Sequence, residues 1–165
     1  MLYAIIFFGT VILDQLTKAI VDANDYQIPV IKDFFLISNI RNDGAAFSMF
    51  AGKEWAMPLF YALTTVSLVA IACYFIFKKN DSKWLDISVV LIAAGAVGNF
   101  IDRIAFEEVR DFLYFTFFAN FNVADVAVTV GGIMLVFYFL FLDEEAIFKK
   151  KKVEALKEEN GENEQ

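Results

Sequence analysis

Apolar positions along this chain gather into four long runs separated by short polar breaks. They cover about residues 1–18, 56–77, 84–102 and 119–142. Each approaches the roughly 20 apolar residues that an α-helix needs to cross a bilayer. The pattern predicts a mostly α membrane protein: a four-transmembrane-helix bundle forming one integral-membrane domain over residues 1–142. A charged tail, 143–165, follows and reads as a frayed cytoplasmic end. The first run has no basic leader and no small-x-small cleavage site, so it reads as a retained helix.

The segments between the runs carry different signals. Residues 19–55 are too long to be left without structure. Gln27–Val30 and Phe34–Ile40 are rich in β-formers and predict short strands. Asn39–Gly44 reads as a turn, and Ala45–Phe50 as a short amphipathic or re-entrant piece. Phe34, Phe35, Phe47, Phe50 and Trp55 suit the headgroup zone, so a small extracytoplasmic β-structured platform on the bilayer is expected. Residues 103–118 read as an outer loop. Gly95 and Gly98 in the third run predict a close helix approach.

Composition sharpens this picture. Apolar residues make up 59% and mean hydropathy is +0.56. A soluble globule of this length has no room to enclose four such runs. The net charge of -7 is not gathered into a patch, and no basic patch exists to meet nucleic acid. With no His and one Cys, a disulfide is impossible within the chain and no metal site is expected; Cys73 reads as a small hydrophobe. Lysines concentrate at Lys78, Lys79, Lys83 and Lys149–Lys152, while Lys32, Arg41, Lys53, Arg103 and Arg110 are spread over long segments. The positive-inside rule then puts both termini in the cytoplasm and segments 19–55 and 103–118 outside.

Ionisable groups inside apolar runs are functional candidates by default. Asn122, Asp125 and Thr129 share one helical face at the start of the fourth run, and Asp111 lies fourteen residues before Asp125. Two carboxylates meeting at the membrane edge can activate water against a peptide bond, one as base and one as acid. At the end of the third run Asn99, Asp102 and Arg103 fall on nearly one face, either stapling the outer loop or orienting the acids. Asp14 and Lys18, one turn apart, form either an interfacial pair with Lys18 snorkelling or the support of a polar site. Lys18 reaches a serine only if the first span packs against the site, so a serine route is weak. Three readings stand on residues alone. They are a hydrolase, a proton- or ion-coupled carrier using Asp111 and Asp125 as a relay, and an assembly protein in which Asp125 contacts Asn99. Four spans without a visible inverted repeat favour the first.

Five short motifs in order then sharpen the reading: Leu13-Asp14-Gln15-Leu16-Thr17-Lys18, Asn42-Asp43-Gly44-Ala45-Ala46-Phe47-Ser48, Gly98-Asn99-Phe100-Ile101-Asp102-Arg103, Val109-Arg110-Asp111-Phe112 and Phe121-Asn122-Val123-Ala124-Asp125. With them the chain resembles the bacterial lipoprotein signal peptidases (type II signal peptidases), integral-membrane aspartic proteases. The resemblance implies Asp111 and Asp125 as catalytic residues. It implies Asn42, Gly44, Asn99, Asp102, Arg103, Asn122, Ala124, Asp14 and Lys18 as site support or substrate contacts. It implies hydrolysis of the peptide bond before the diacylglyceryl-modified cysteine of prolipoproteins, without a cofactor. The expected setting is the bacterial cytoplasmic membrane, with the site near its outer face, membrane lipids as neighbours and a monomer as the working form. Three positions depart from the family pattern. Glu107 stands where Gly is frequent, Arg110 where a hydrophobic residue usually precedes the aspartate, and Ala119 where Pro is common.

Overall fold

A computed structural model describes residues 1–44, 49–78 and 82–143 of the chain. Each apolar run is a helix: α1 Leu2–Asn24, α2 Ala56–Phe77, α3 Lys83–Phe106 and α4 Val123–Phe137, which a π-helical turn, Tyr138–Leu142, prolongs. With that turn included, all four are long and apolar enough to cross a membrane, and the protein is a multi-pass membrane protein.

Local chemistry sets the helix ends where hydropathy alone leaves them vague. α1 runs past Lys18 to Asn24 and stops where Asp25 turns left-handed, at φ 46°. The Ser82 hydroxyl accepts the Leu85 N–H at 3.4 Å and opens α3. Asn122 caps α4, so the helix starts at Val123 although apolar residues begin at 119. α3 ends at Glu107, whose φ of 59° lies in the left-handed region that favours glycine. Here a glutamate accepts the strain.

α3 is the hub of the bundle. Half of its apolar span is buried, against 17%, 6% and 17% of α1, α2 and α4. Phe8, Leu63, Val66 and Ile133 on the outer helices face outward, as apolar side chains do when the solvent is lipid. Gly95 and Gly98 do bring α3 close to its neighbours. A Cβ on Gly95 would stand 2.3 Å from the Ala124 carbonyl oxygen, and one on Gly98 2.7 Å from Asp14 Oδ2.

Three strands form an antiparallel sheet at the end of the bundle where α1 and α3 finish and α2 and α4 begin. They are β1 Gln27–Ile31, β2 Phe35–Asn42 and β3 Val109–Phe115, in that order. Two expectations are corrected here. Residues 39–42 are strand rather than turn: β2 continues beside β3, with Arg41 opposite Arg110 and Asn42 opposite Val109. Long-range pairing outweighs the turn preference of Asn39 and Asn42. The segment 103–118 is likewise not only loop, because it contains β3. Stacked rings join the sheet to the following segment, with Phe35 4.6 Å from Phe115 and Phe115 5.5 Å from Phe121. Of the expected headgroup aromatics, Phe34, Phe50 and Trp55 are exposed. Phe47 and the rest of 45–48, Lys79–Asp81 and the tail 144–165 with its four consecutive lysines lie outside the described residues.

Candidate active site

Asp111 sits in β3 and is 2% exposed. After β3 the chain turns back on itself. Leu113 N–H donates to the Phe121 carbonyl at 2.9 Å, and Phe121 N–H to that of Leu113 at 3.1 Å. This return delivers Asn122 beside Asp111, and Asn122 Nδ2 donates to Asp111 Oδ1 at 2.8 Å. The same Asn122 begins α4 through a reciprocal capping box. Its Oδ1 accepts the Asp125 N–H at 2.9 Å, and Asp125 Oδ2 accepts the Asn122 N–H at 3.1 Å. One side chain therefore joins the strand acid to the helix acid.

Two further amides complete the ring. Asn42, at the end of β2, donates to Asp111 Oδ2 at 3.0 Å and accepts the Gly44 N–H at 2.9 Å. Asn99 of α3 donates to Asp125 Oδ1 at 2.7 Å, while its own oxygen accepts from Asn122 Nδ2 and from Lys18 Nζ, each at 3.0 Å. The Asp125–Asn99 contact, which the assembly-protein alternative invoked, is present as one strand of a larger net.

Behind this ring lies a buried charged layer. Lys18 Nζ is 2.8 Å from Asp14 and 3.4 Å from Asp102, with both side chains fully enclosed. Lys18 is 1% exposed, so it does not snorkel; α1 continues beyond it and packs it against α3. Asp14 also accepts the Ala124 N–H at 2.8 Å. Ala124 itself is fully buried against Gly95 and Gly98. The expected common face of Asp102 and Arg103 splits in two. Asp102 turns inward to Lys18 and to Arg110, 2.8 Å away. Arg103 turns toward Gly44 and α2, where Nη2 donates to the Gly44 carbonyl at 3.3 Å and the guanidinium lies 4.8 Å from the Phe60 ring centre. Its Nε is buried without a hydrogen-bond partner among the described residues.

Asp111, Asp125, Asn42, Asn99 and Arg103 all border one cavity of about 530 Å³. Its remaining wall includes Thr129, on the Asp125 face of α4, and apolar side chains such as Val126 and Val130. Burial, and next the nearby Asp125 charge, push Asp111 up to about 7 against the pull of its two amide donors. Asp111 therefore takes up a proton near neutral pH, where an ordinary aspartate has none. Among the described residues, no three His, Cys, Asp or Glu side chains converge as metal ligands do.

Two residues of this net were not picked out as site residues from sequence. Gln15 donates to Asp14 and Asp102 at 3.1 Å and to the Gly98 carbonyl at 3.0 Å. Arg110, read only as a departure, grips Asp102. The available signal was polarity in apolar company: Gln15 beside Asp14 in a span, and Arg110 between two buried strand residues.

The comparisons with known proteins agree with one another. The family model described as signal peptidase (SPase) II matches residues 6–141. The lipoprotein signal peptidase of Bacillus pumilus is 39% identical over 150 residues, covering 87% of this chain and 94% of the relative. That of Listeria monocytogenes serotype 4a is 41% identical over 152 residues, covering 87% and 96%. Among solved structures, a bacterial membrane enzyme determined by the in meso method at 2.3 Å superposes with a TM-score of 0.75 at 32% identity, covering 88% of this chain and 93% of the other. A second, at 1.9 Å resolution, gives 0.74 at 33% identity, covering 86% and 94%. Buried acids held at the edge of a four-span bundle and these matches have one meaning: the chain belongs to the signal peptidase II family and is an intramembrane aspartic endopeptidase.

Proposed function

We propose that Asp111 and Asp125 form the catalytic pair and that the bond cut precedes a diacylglyceryl-modified cysteine in a prolipoprotein. The observation that carries this reading is the joining of the two acids through Asn122 on the wall of one largely apolar cavity. The reaction needs one proton on the pair, and Asp111 can hold it near neutral pH. The ionised member takes a proton from water as its oxygen bonds to the scissile carbonyl carbon, and the protonated member donates to the carbonyl oxygen. The C–N bond then breaks, the amine leaves with a proton from the pair, and a new carboxyl group remains on the signal peptide.

Asn42, Asn99 and Asn122 hold the carboxyl oxygens. Lys18, Asp14 and Asp102 keep those amides in place from behind, and Arg103 with Gly44 meets the substrate at the cavity wall. The membrane-embedded substrate suits this site. Acyl chains and an apolar signal helix supply binding energy along apolar walls, so the acids need only meet the scissile bond. Residues 1–142 act as one membrane domain, and the chain works as a monomer. The lysine distribution supports cytoplasmic termini with the sheet and site on the outer side.

The decisive experiment is cleavage of a synthetic diacylglyceryl-modified prolipopeptide by the purified chain. Asp111→Asn and Asp125→Asn, each nearly isosteric, are each expected to be inert while remaining folded. Near wild-type cleavage by either variant removes the two-acid mechanism. For orientation, an Asn80→Cys variant lacking Cys73 is expected to resist an impermeant thiol reagent in intact cells. Labelling from outside reverses the assignment.

A further inference from the structure

Arg110 stands immediately before Asp111 in β3, and strand alternation turns the two side chains to opposite sides. Asp111 reaches Asn42 and Asn122, whereas Arg110 reaches back into the bundle. Arg110 is 7% exposed and is held on a single carboxylate by main chain and side chain together. Its N–H and Nε donate to Asp102 Oδ2 at 2.9 and 3.2 Å, and its Nη2 donates to Asp102 Oδ1 at 2.8 Å. Nη2 also donates to Gln15 Oε1 at 3.1 Å, and the guanidinium covers the Phe106 ring at 4.6 Å. The receiving carboxylate is fixed in turn, being fully buried and flanked by Gln15 Nε2 at 3.1 Å and Lys18 Nζ at 3.4 Å.

A planar fork on a buried carboxylate fixes orientation as well as distance. The main-chain bond adds a third constraint, so β3 can neither rotate nor slide at this point. A slip of one residue would exchange the faces of Arg110 and Asp111. Asn122 Nδ2 lies 3.4 Å from the Arg110 carbonyl, so the element that carries Asp125 rests on the same residue.

We propose that Arg110 is a positioning residue for the hydrolysis: its fork on Asp102 sets the register and depth of β3, and with them the place of the Asp111 carboxyl opposite Asp125. This rests on the reading of Asp111 as half of the catalytic pair. Arg110 itself does not border the cavity, so its loss leaves substrate binding intact and misplaces a reacting group. A displacement near 1 Å costs on the order of 10²-fold in rate.

The test uses the full purified chain and a diacylglyceryl-modified prolipopeptide. Arg110→Met is expected to lower kcat by about 10²-fold with KM unchanged. Arg110→Lys keeps the charge but not the fork and should recover little of that loss. Adding Asp102→Asn to Arg110→Met should cost no more than the worse single change, since both break one contact. Wild-type kcat in Arg110→Met or Arg110→Lys, a loss confined to KM, or an additive double variant overturns the proposal. Should Arg110→Met not fold, Arg110→Lys decides: lower kcat at unchanged KM and unchanged thermal midpoint supports positioning. Failure of both to fold assigns Arg110 to folding alone and also overturns it. Asp111→Asn separates the two levels. If it cuts, the catalytic reading fails; if it is inert while Arg110→Met is normal, only the positioning role fails.

Discussion

The carboxylate of Asp14 accepts the main-chain N–H of Ala124 at 2.8 Å, across 110 positions of sequence. Ala124 lies in the first turn of α4, where an N–H has no partner within its own helix. An α1 side chain therefore completes the start of the helix that bears Asp125.

Asp14→Ala removes that acceptor and strips Lys18 of its nearest counter-charge, both in buried surroundings. A loss of about 3–5 kcal/mol is expected. It should show as a lower thermal midpoint and a lower yield of folded protein in detergent. A well-folded but inert Asp14→Ala protein would move this residue from support into the chemistry.

Asp111 gives a pH signature. Its carboxyl rises from an ordinary 3.8 to about 7 in the fold, so the folded chain keeps a proton that the unfolded chain releases. The stability it contributes is complete below pH 3.8 and is lost as pH rises through about 7. Asp111→Asn should therefore unfold at a higher temperature than wild type at pH 8, with the gap closing in acid. For the rate, the alkaline limb of kcat/KM should fall through about 7 as the pair gives up its last proton. An equal gap in unfolding temperature at both pH extremes, or a flat alkaline limb, contradicts this account.

Two glycines make a matched test of helix packing. A Cβ at Gly98 meets Asp14 Oδ2 at 2.7 Å and Ala124 Cβ at 3.0 Å, while one at Gly132 meets nothing within 4 Å. Gly98→Ala should lose about 1–3 kcal/mol through overpacking. Gly132→Ala should gain about 0.5–1 kcal/mol in helix propensity. Thermal unfolding of the two proteins side by side reads the difference directly.

Asn42 and Asn99 each hold one acid without exchanging protons. Asn42→Ala and Asn99→Ala are expected to lower kcat strongly yet leave a measurable rate, unlike the Asn variants of the acids themselves. Single-turnover assays with excess enzyme resolve such residual activity. A fully inert Asn99→Ala enzyme that folds normally would place this amide among the reacting groups.

Glu107 offers a gain in stability. Its φ of 59° strains a side-chain-bearing residue, and Glu107 is exposed. Glu107→Gly relieves roughly 1–2 kcal/mol of strain and returns about 0.4–1 kcal/mol through the freer unfolded chain. A slightly raised thermal midpoint with unchanged kcat is the expected outcome.

Much of the architecture is legible in sequence because lipid imposes a one-letter rule: long apolar runs become helices. Asp111 and Asp125 were legible for the opposite reason, as acids in apolar company. The strand β3 was hidden because both members of its Arg110-Asp111 pair are buried on opposite sides, which erases the usual alternation of apolar and polar positions. Asn39 and Asn42 misled in the same region: the turn preference of Asn42 yields to pairing with a strand far along the chain, and Asn39 N–H donates to the Tyr26 carbonyl instead. Asn122 showed only its position on a helix face. Its double role as cap and as link to Asp111 depends on the backward turn at Phe121, which no local pattern announces.

That backward turn separates two kinds of length change. Phe121 closes on Leu113, and Thr116 N–H donates to the Phe34 carbonyl at 3.2 Å, so residues 119–120 form a lip whose size does not enter the register of Asp111 or Asn122. Insertions or deletions there reshape the cavity mouth around Phe118, Ala119 and Asn120 and leave the acids where they are. One residue inserted between Asn122 and Asp125 instead swings the acid by about 100° around the helix. Asp125 then loses Asn99 and the cap together. Descendants of this chain can vary the lip to suit new peptides, while the four residues from Asn122 to Asp125 keep a fixed count.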